Sequence, residues 1–176
     1  MTSLTIIFIF LFGLAIGSFL NVLISRLPVS ESILYPSSHC PACKTPLKIV
    51  DLIPILSYIL NFGKCRYCGE RISLRYLIIE TITPILFVLL YFKCHLSIDF
   101  FLFLILASLL LVGAFTDMER GIIPDSITIL GVIPGIILNT WEGNFNRSLI
   151  GMLLGFFLMF IISKVSFYLL KREAMG

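Results

Sequence analysis

Apolar residues along this chain arrive in long unbroken runs rather than in alternation, and a single long polar stretch separates the first run from the rest. Runs over roughly 4–25, 76–92, 99–116, 122–140 and 148–170 approach the ~20 residues that a helix needs to cross a hydrocarbon core. Strands of a membrane barrel would alternate, and a spanning backbone must satisfy its own hydrogen bonds in lipid, so the runs predict helices. The expected fold class is all-α, a polytopic helical membrane protein with about five transmembrane helices. Three parts follow: a first helix over 1–25, a loop over 26–75, and a helical membrane region over 76–176. Gly13 with Gly17, Gly131 with Gly135 and Gly151 with Gly155 repeat the G-x-x-x-G spacing that lets helices approach closely. Pro84 and Pro134 fall inside apolar runs and are expected to kink their helices. No internal repeat or low-complexity segment is evident.

Composition agrees with that class. With 59% hydrophobic and 13% charged residues, the chain has too few polar groups to cover a soluble globule of 176 residues. Its net charge of +3 is small but unevenly placed. Arg26, Lys44, Lys48, Lys64, Arg66, Arg71 and Arg75 lie in the polar loop, and Arg120, Lys171 and Arg172 fall on the same side, against Lys93 and Arg147 on the other. The positive-inside tendency then puts the loop, the 117–121 connection and the C-terminus in the cytoplasm and the N-terminus outside. A cleaved signal peptide fits the first run poorly, because it lacks a positive n-region. Nothing in the charge pattern implies nucleic acid.

The loop carries two C-x-x-C pairs, Cys40/Cys43 and Cys65/Cys68, separated by 21 residues. That spacing suits a tetrahedral, closed, structural Zn2+ site, with Pro41, Pro46 and Gly69 supplying turn chemistry. Two disulfides are the alternative, disfavoured in a reducing compartment, and a thiol redox protein would use the same pairs. His39 adjoins Cys40 but is superfluous beside four thiolates, and Cys94 lies apart from the other four.

Several linked segments resemble the type IV prepilin peptidases: Gly17-Ser18-Phe19-Leu20-Asn21 continuing to Arg26-Leu27-Pro28, the two cysteine pairs around Asp51 to Tyr58, Ser73 to Glu80, and Thr116-Asp117 to Pro124-Asp125. The resemblance covers essentially the whole chain. It implies a multi-pass inner-membrane enzyme with a cytoplasmic active face. Such an enzyme cuts the leader from prepilins or pseudopilins by aspartic chemistry and then methylates the new N-terminus from S-adenosylmethionine. By this resemblance Asp117 is one catalytic carboxylate, and the family's second lies in a Gly-x-Gly-Asp motif that does not occur within these 176 residues. The chain as it stands is therefore expected to cleave poorly unless a segment with that motif is supplied. A relative lacking the dyad could also serve as a non-catalytic pilin-binding or assembly module.

An aspartic dyad needs one carboxylate to take a proton from water and a neutral one to donate to the scissile carbonyl. Asp125 is expected to cap the helix beginning near Ser126 rather than to complete the dyad, and Glu119 to be a solvated interfacial charge. Methyl transfer asks for positioning of an α-amine against a cationic donor, which favours carboxylates and aromatic faces. Asp51 and Glu80 are the candidate carboxylates, and Phe19, Tyr58, Tyr67 and Tyr76 the candidate aromatics. Glu80 could instead pair with Arg75 or Arg71. From spacing alone Gly17, Ser18 and Asn21 read as helix contacts, and the resemblance adds them to the candidate substrate or methyl-donor region.

Overall fold

A computed structural model describes residues 2–132, 146, 149–155, 157 and 161. Three of its helices are long and apolar enough to cross a membrane: α1 (Thr2–Arg26), α3 (Leu74–Cys94) and α4 (Ile98–Arg120). A short helix α2 (Leu56–Leu60) and two 3-10 turns, Leu27–Val29 and Ile49–Leu52, belong to the loop between α1 and α3. Among the described residues there is no strand, only two isolated bridges. The expected fourth span begins as helix over 125–132 and the fifth includes helix over 149–155; the remainder of both, with Pro134 and Gly135, lies outside the described residues.

Each helix boundary has a local cause. Ser73 accepts a hydrogen bond from the backbone N–H of Arg75, and Ser97 one from Phe100, so hydroxyl caps start α3 and α4. Gly121 ends α4 in the left-handed region, its N–H returning to the Asp117 carbonyl at 2.8 Å. Asp125 is itself the first residue of the following helix rather than the residue before it. Its carboxylate therefore sits in the first turn, where the helix dipole favours negative charge.

α1 and α3 are pressed together along a seam of small residues. A Cβ on Gly13 would stand 2.5 Å from Pro84 Cα, and one on Gly17 would stand 3.1 Å from Glu80 Cα. No side chain fits at the first position without separating the helices, so the G-x-x-x-G reading holds there. The seam also receives Pro84, whose ring leaves the preceding turn one backbone bond short. Gly131, by contrast, meets only the Leu109 side chain at an ordinary 3.6 Å.

Two apolar clusters fill the bundle. Leu20, Ile24, Ile79, Val112 and Ile127 form one near the loop end, and Ile9, Phe87, Phe100 and Leu104 form the other, beside Cys94. At the loop end a guanidinium joins three helices: Arg75 donates to Ser25 Oγ of α1 at 2.9 Å, pairs with Glu119 of α4, and lies 4.8 Å over the Tyr76 ring. Glu119 is thus engaged rather than simply solvated. The same contacts bring the loop and the 117–121 connection to one end of the bundle.

Candidate functional site

The cysteine loop is built from two copies of one turn. Cys40 N–H bonds to the Thr45 carbonyl, Lys44 N–H returns to Cys40, and Leu47 N–H closes onto Ser38. Twenty-five residues on, Cys65 N–H bonds to Glu70, Gly69 N–H to Cys65, and Ile72 N–H to Gly63. Isolated bridges His39–Pro46 and Lys64–Arg71 occupy matching places, and Lys44 and Gly69 both take the left-handed backbone. The repeat escapes a reading of the sequence because the two copies share little beyond their cysteines.

The two turns face each other so that all four sulfurs lie within 4.8 Å of one another, and the short contact, Cys40 to Cys68 at 3.9 Å, crosses between the turns. All four cysteines are free. Tetrahedral Zn2+ with bonds near 2.3 Å sets its sulfurs roughly 3.8 Å apart, so the set fits such an ion. Thr45 hydrogen bonds lower the Cys43 thiol to about 6, and the backbone N–H groups of Cys68 and Tyr67 lower Cys65. The Glu70 N–H also favours the Cys68 thiolate, but desolvation and the three neighbouring sulfurs outweigh it and push Cys68 up to about 12. Four thiols this close cannot all ionise without a cation among them.

Asp51 ties this turn pair to the rest of the loop. Its carboxylate accepts from the Lys48 N–H at 3.1 Å and from the Tyr67 hydroxyl at 2.8 Å, with Arg66 at 3.7 Å. The Tyr67 hydroxyl, followed by the Lys48 N–H and Arg66, holds the Asp51 carboxyl below the usual carboxylate range, and the same bond raises Tyr67. Asp51 thus stands apart from Glu80, on the cysteine side of the loop.

Glu80 is buried in α3, and neither Arg75 nor Arg71 pairs with it. Its Oε2 instead accepts the Ile55 backbone N–H at 2.7 Å, and the Ser18 and Asn21 side chains lie against the carboxylate. Asn21 also donates to the Tyr76 carbonyl at 3.2 Å. Gly17, Ser18, Asn21 and Glu80 therefore converge. Ile55 reaches them through a tight γ-turn: its φ is +63° and ψ −52°, and Leu56 N–H bonds to the Pro54 carbonyl at 2.6 Å. A positive φ at a β-branched residue is strained and held only where its surroundings compel it. Sequence reasoning missed Ile55, since only its backbone takes part and its side chain argues against that turn. Arg26, counted in the sequence among the loop charges, is buried at the end of α1, where it donates to the carbonyls of Ser32 and Pro36 and shapes the chain's exit into the loop.

Asp117 sits in the last turn of α4, exposed, at the same end of the bundle. Among the described residues no hydrogen bond or ion pair joins its carboxylate to a second acid.

Comparison with known proteins matches residues 11–94 to the bacterial peptidase A24 N-terminal domain and residues 104–176 to the type IV leader peptidase family. Curated relatives called prepilin leader peptidase/N-methyltransferase include one from Myxococcus xanthus (strain DK1622), 37% identical over 97% of this chain and 51% of its own length. Another from Bacillus subtilis (strain 168) is 34% identical over 90% of this chain and 64% of its own length. One from Klebsiella pneumoniae is 34% identical over 96% of this chain and 78% of its own length. The chain thus spans about half the length of the first of these and less than two thirds of the second. No solved structure matches it. With both family segments matched in order and the resemblance running through Gly17–Asn21, the cysteine pairs, Glu80 and Asp117, the chain belongs to the type IV prepilin leader peptidase family.

Proposed function

We propose that this chain carries machinery for removing the leader from type IV prepilins or pseudopilins and for methylating the new N-terminus, at the cytoplasmic face of the cell membrane. The observation that carries this reading is the convergence at Glu80. Segments far apart in sequence, Ser18 and Asn21 on α1 and Ile55 in the loop, meet one buried carboxylate. A buried carboxylate with neutral hydrogen-bonding neighbours suits a cationic group, whether the sulfonium of S-adenosylmethionine or the substrate's α-amine. The donor supplies an electrophilic methyl when bound. The chain's own part is to orient the amine and exclude water.

Asp117 supplies one carboxylate for cleavage, either activating water or polarising the scissile carbonyl, and aspartic chemistry pairs it with a second. Zn2+ on Cys40, Cys43, Cys65 and Cys68 is structural in this reading. Four thiolates close its coordination sphere, and the turn pair it fixes anchors the segment that runs from Asp51 to Ile55.

Both activities can be read from one preparation in which a segment bearing Gly-x-Gly-Asp is fused after Gly176. Asp117→Asn is expected to abolish release of the leader from a prepilin peptide while methyl transfer to a pre-cut peptide persists. Glu80→Gln is expected to do the reverse, lowering methyl transfer about 100-fold or more, as when a charge-stabilising group is removed from a dry site. Cleavage that survives Asp117→Asn would show that the proteolytic carboxylates lie elsewhere.

A further inference from the structure

The loop between α1 and α3 is polar at the cysteine turns, yet residues 49–63 are almost entirely apolar and are bounded by Lys48 and Lys64. Their large side chains point away from the protein: Ile49 is 85% exposed, Leu60 72% and Phe62 89%, with Leu56 and Ile59 also exposed. A contiguous apolar surface of this kind in water is a liability.

Its depth is fixed by Glu80. α3 has 21 residues, about 32 Å of helix, so it barely crosses a hydrocarbon core of about 30 Å. Glu80 lies six residues, roughly 9 Å, inside its first residue Leu74. The 2.7 Å bond from the Ile55 N–H to that carboxylate puts the γ-turn well below the end of the helix. The loop therefore returns toward the bilayer after the first cysteine turn.

The backbone is prepared for that depth. Non-helical chain is tolerated near hydrocarbon only where its polar groups are satisfied within the protein. Ile55 N–H goes to Glu80, Leu56 to Pro54, Ser57 to Ile53 and Gly63 to Tyr58. The Asn61 amide turns back onto the Ser57 carbonyl at 2.8 Å. Asp51, the one charged residue between the lysines, directs its carboxylate at the Lys48 backbone N–H, Arg66 and Tyr67. α3 itself also presents large apolar side chains outward, Leu74, Ile78 and Ile82.

We propose that residues 49–62 form a re-entrant segment seated in the headgroup–acyl boundary of the bilayer, with lipid as the partner of its apolar face. Lys48 and Lys64 mark where the chain enters and leaves, their amines at the phosphate level. The inference is independent of the catalytic reading. It makes the cysteine turns a structure resting on the membrane surface and brings the Glu80 site under a roof that lipid holds down.

The test uses the full chain in phosphatidylcholine–phosphatidylglycerol vesicles. With the single tryptophan removed as Trp141→Phe, a tryptophan is introduced as Phe62→Trp, as Leu60→Trp, or as the control Ala42→Trp. Acyl-brominated phosphatidylcholine is expected to quench roughly half or more of the emission from positions 60 and 62, with protection from acrylamide, while the control shows the opposite pattern. Acrylamide access at positions 60 and 62 overturns the proposal. So does shielding from both quenchers, which would mean that protein, a second copy or a prepilin, covers the face. In the unsubstituted chain, a diazirine-bearing phosphatidylcholine is expected to label the peptide containing residues 49–62, and absence of that label equally sinks the proposal.

Discussion

Where α1 meets α3, contact is made by taking side chains away; in the cysteine loop it is made by adding polar ones. Gly13 lets two backbones close to a distance that a single methyl group would forbid, and Gly17 leaves room for little more. The loop has no such seam, and its parts are held by paired turns, four converging sulfurs and the Asp51 carboxylate. The contrast follows from the solvent. Lipid tails are as apolar as leucine, so helices within them gain by close packing, whereas a short loop at the surface buries too little apolar area to fold without a metal or a polar frame. The two regions should consequently fail separately.

The largest expected effect is in the loop. Cys40→Ser or a strong chelator should remove stoichiometric zinc, a binding free energy on the order of 10–16 kcal/mol in small structural sites. Protease cuts within 38–72 should then appear while the α1–α3 contact survives, as read by elemental analysis and limited proteolysis. If the helices come apart together with the loop, the two regions are one cooperative unit and the comparison is wrong.

Gly13→Leu attacks the other side. Its side chain collides with the Pro84 backbone rather than with a flexible group. A loss of about 1–3 kcal/mol is expected, as for other overpacked sites. Thermal melting in detergent should show it, with zinc content unchanged.

A smaller effect concerns pH within the loop. The folded Asp51 carboxyl is held below its ordinary value, so its contribution is fully present above about pH 4 and is lost as pH falls through the lowered value. Amide protection over 48–52, taken relative to the intrinsic exchange rate at each pH, should therefore fall only in that acidic window. In Asp51→Asn the same amides should exchange faster already at neutral pH and show no acid step. Acid release of metal is common to both proteins, so the difference between them isolates the carboxylate.

Much of this was legible in the sequence, because membrane helices and thiolate turns leave local signatures. Unbroken apolar runs located α1, α3 and α4, the C-x-x-C spacing named the four converging sulfurs, and G-x-x-x-G located the tight seam. What escaped depended on contacts that no local pattern encodes. Proximity in sequence offers Glu80 the partners Arg75 and Arg71, yet Arg75 turns to Ser25 and Glu119 while Glu80 takes a backbone N–H. Ile55 was invisible for a stronger reason: tertiary packing holds it in a conformation that its own side chain disfavours. The apolar run between Lys48 and Lys64 is masked in the sequence because it is shorter than a membrane span, is broken by Asp51, Ser57 and Asn61, and lies among the lysines and arginines of the loop.

The Arg75 contacts bear on how the chain is made. Ser25 is already synthesised when Arg75 leaves the ribosome, but Glu119 follows 44 residues later. At ordinary elongation rates of about 5–20 residues per second, that gap is roughly 2–9 s. During it, α1 and α3 can dock through their glycine seam while the guanidinium waits at the membrane border with the Ser25 hydroxyl and the Tyr76 ring but no carboxylate. Arrival of α4 in the correct direction delivers Glu119 to that border, and the reverse direction would carry it to the far side. The ion pair is therefore compatible only with the orientation of α4 that also brings Asp117 to the loop end.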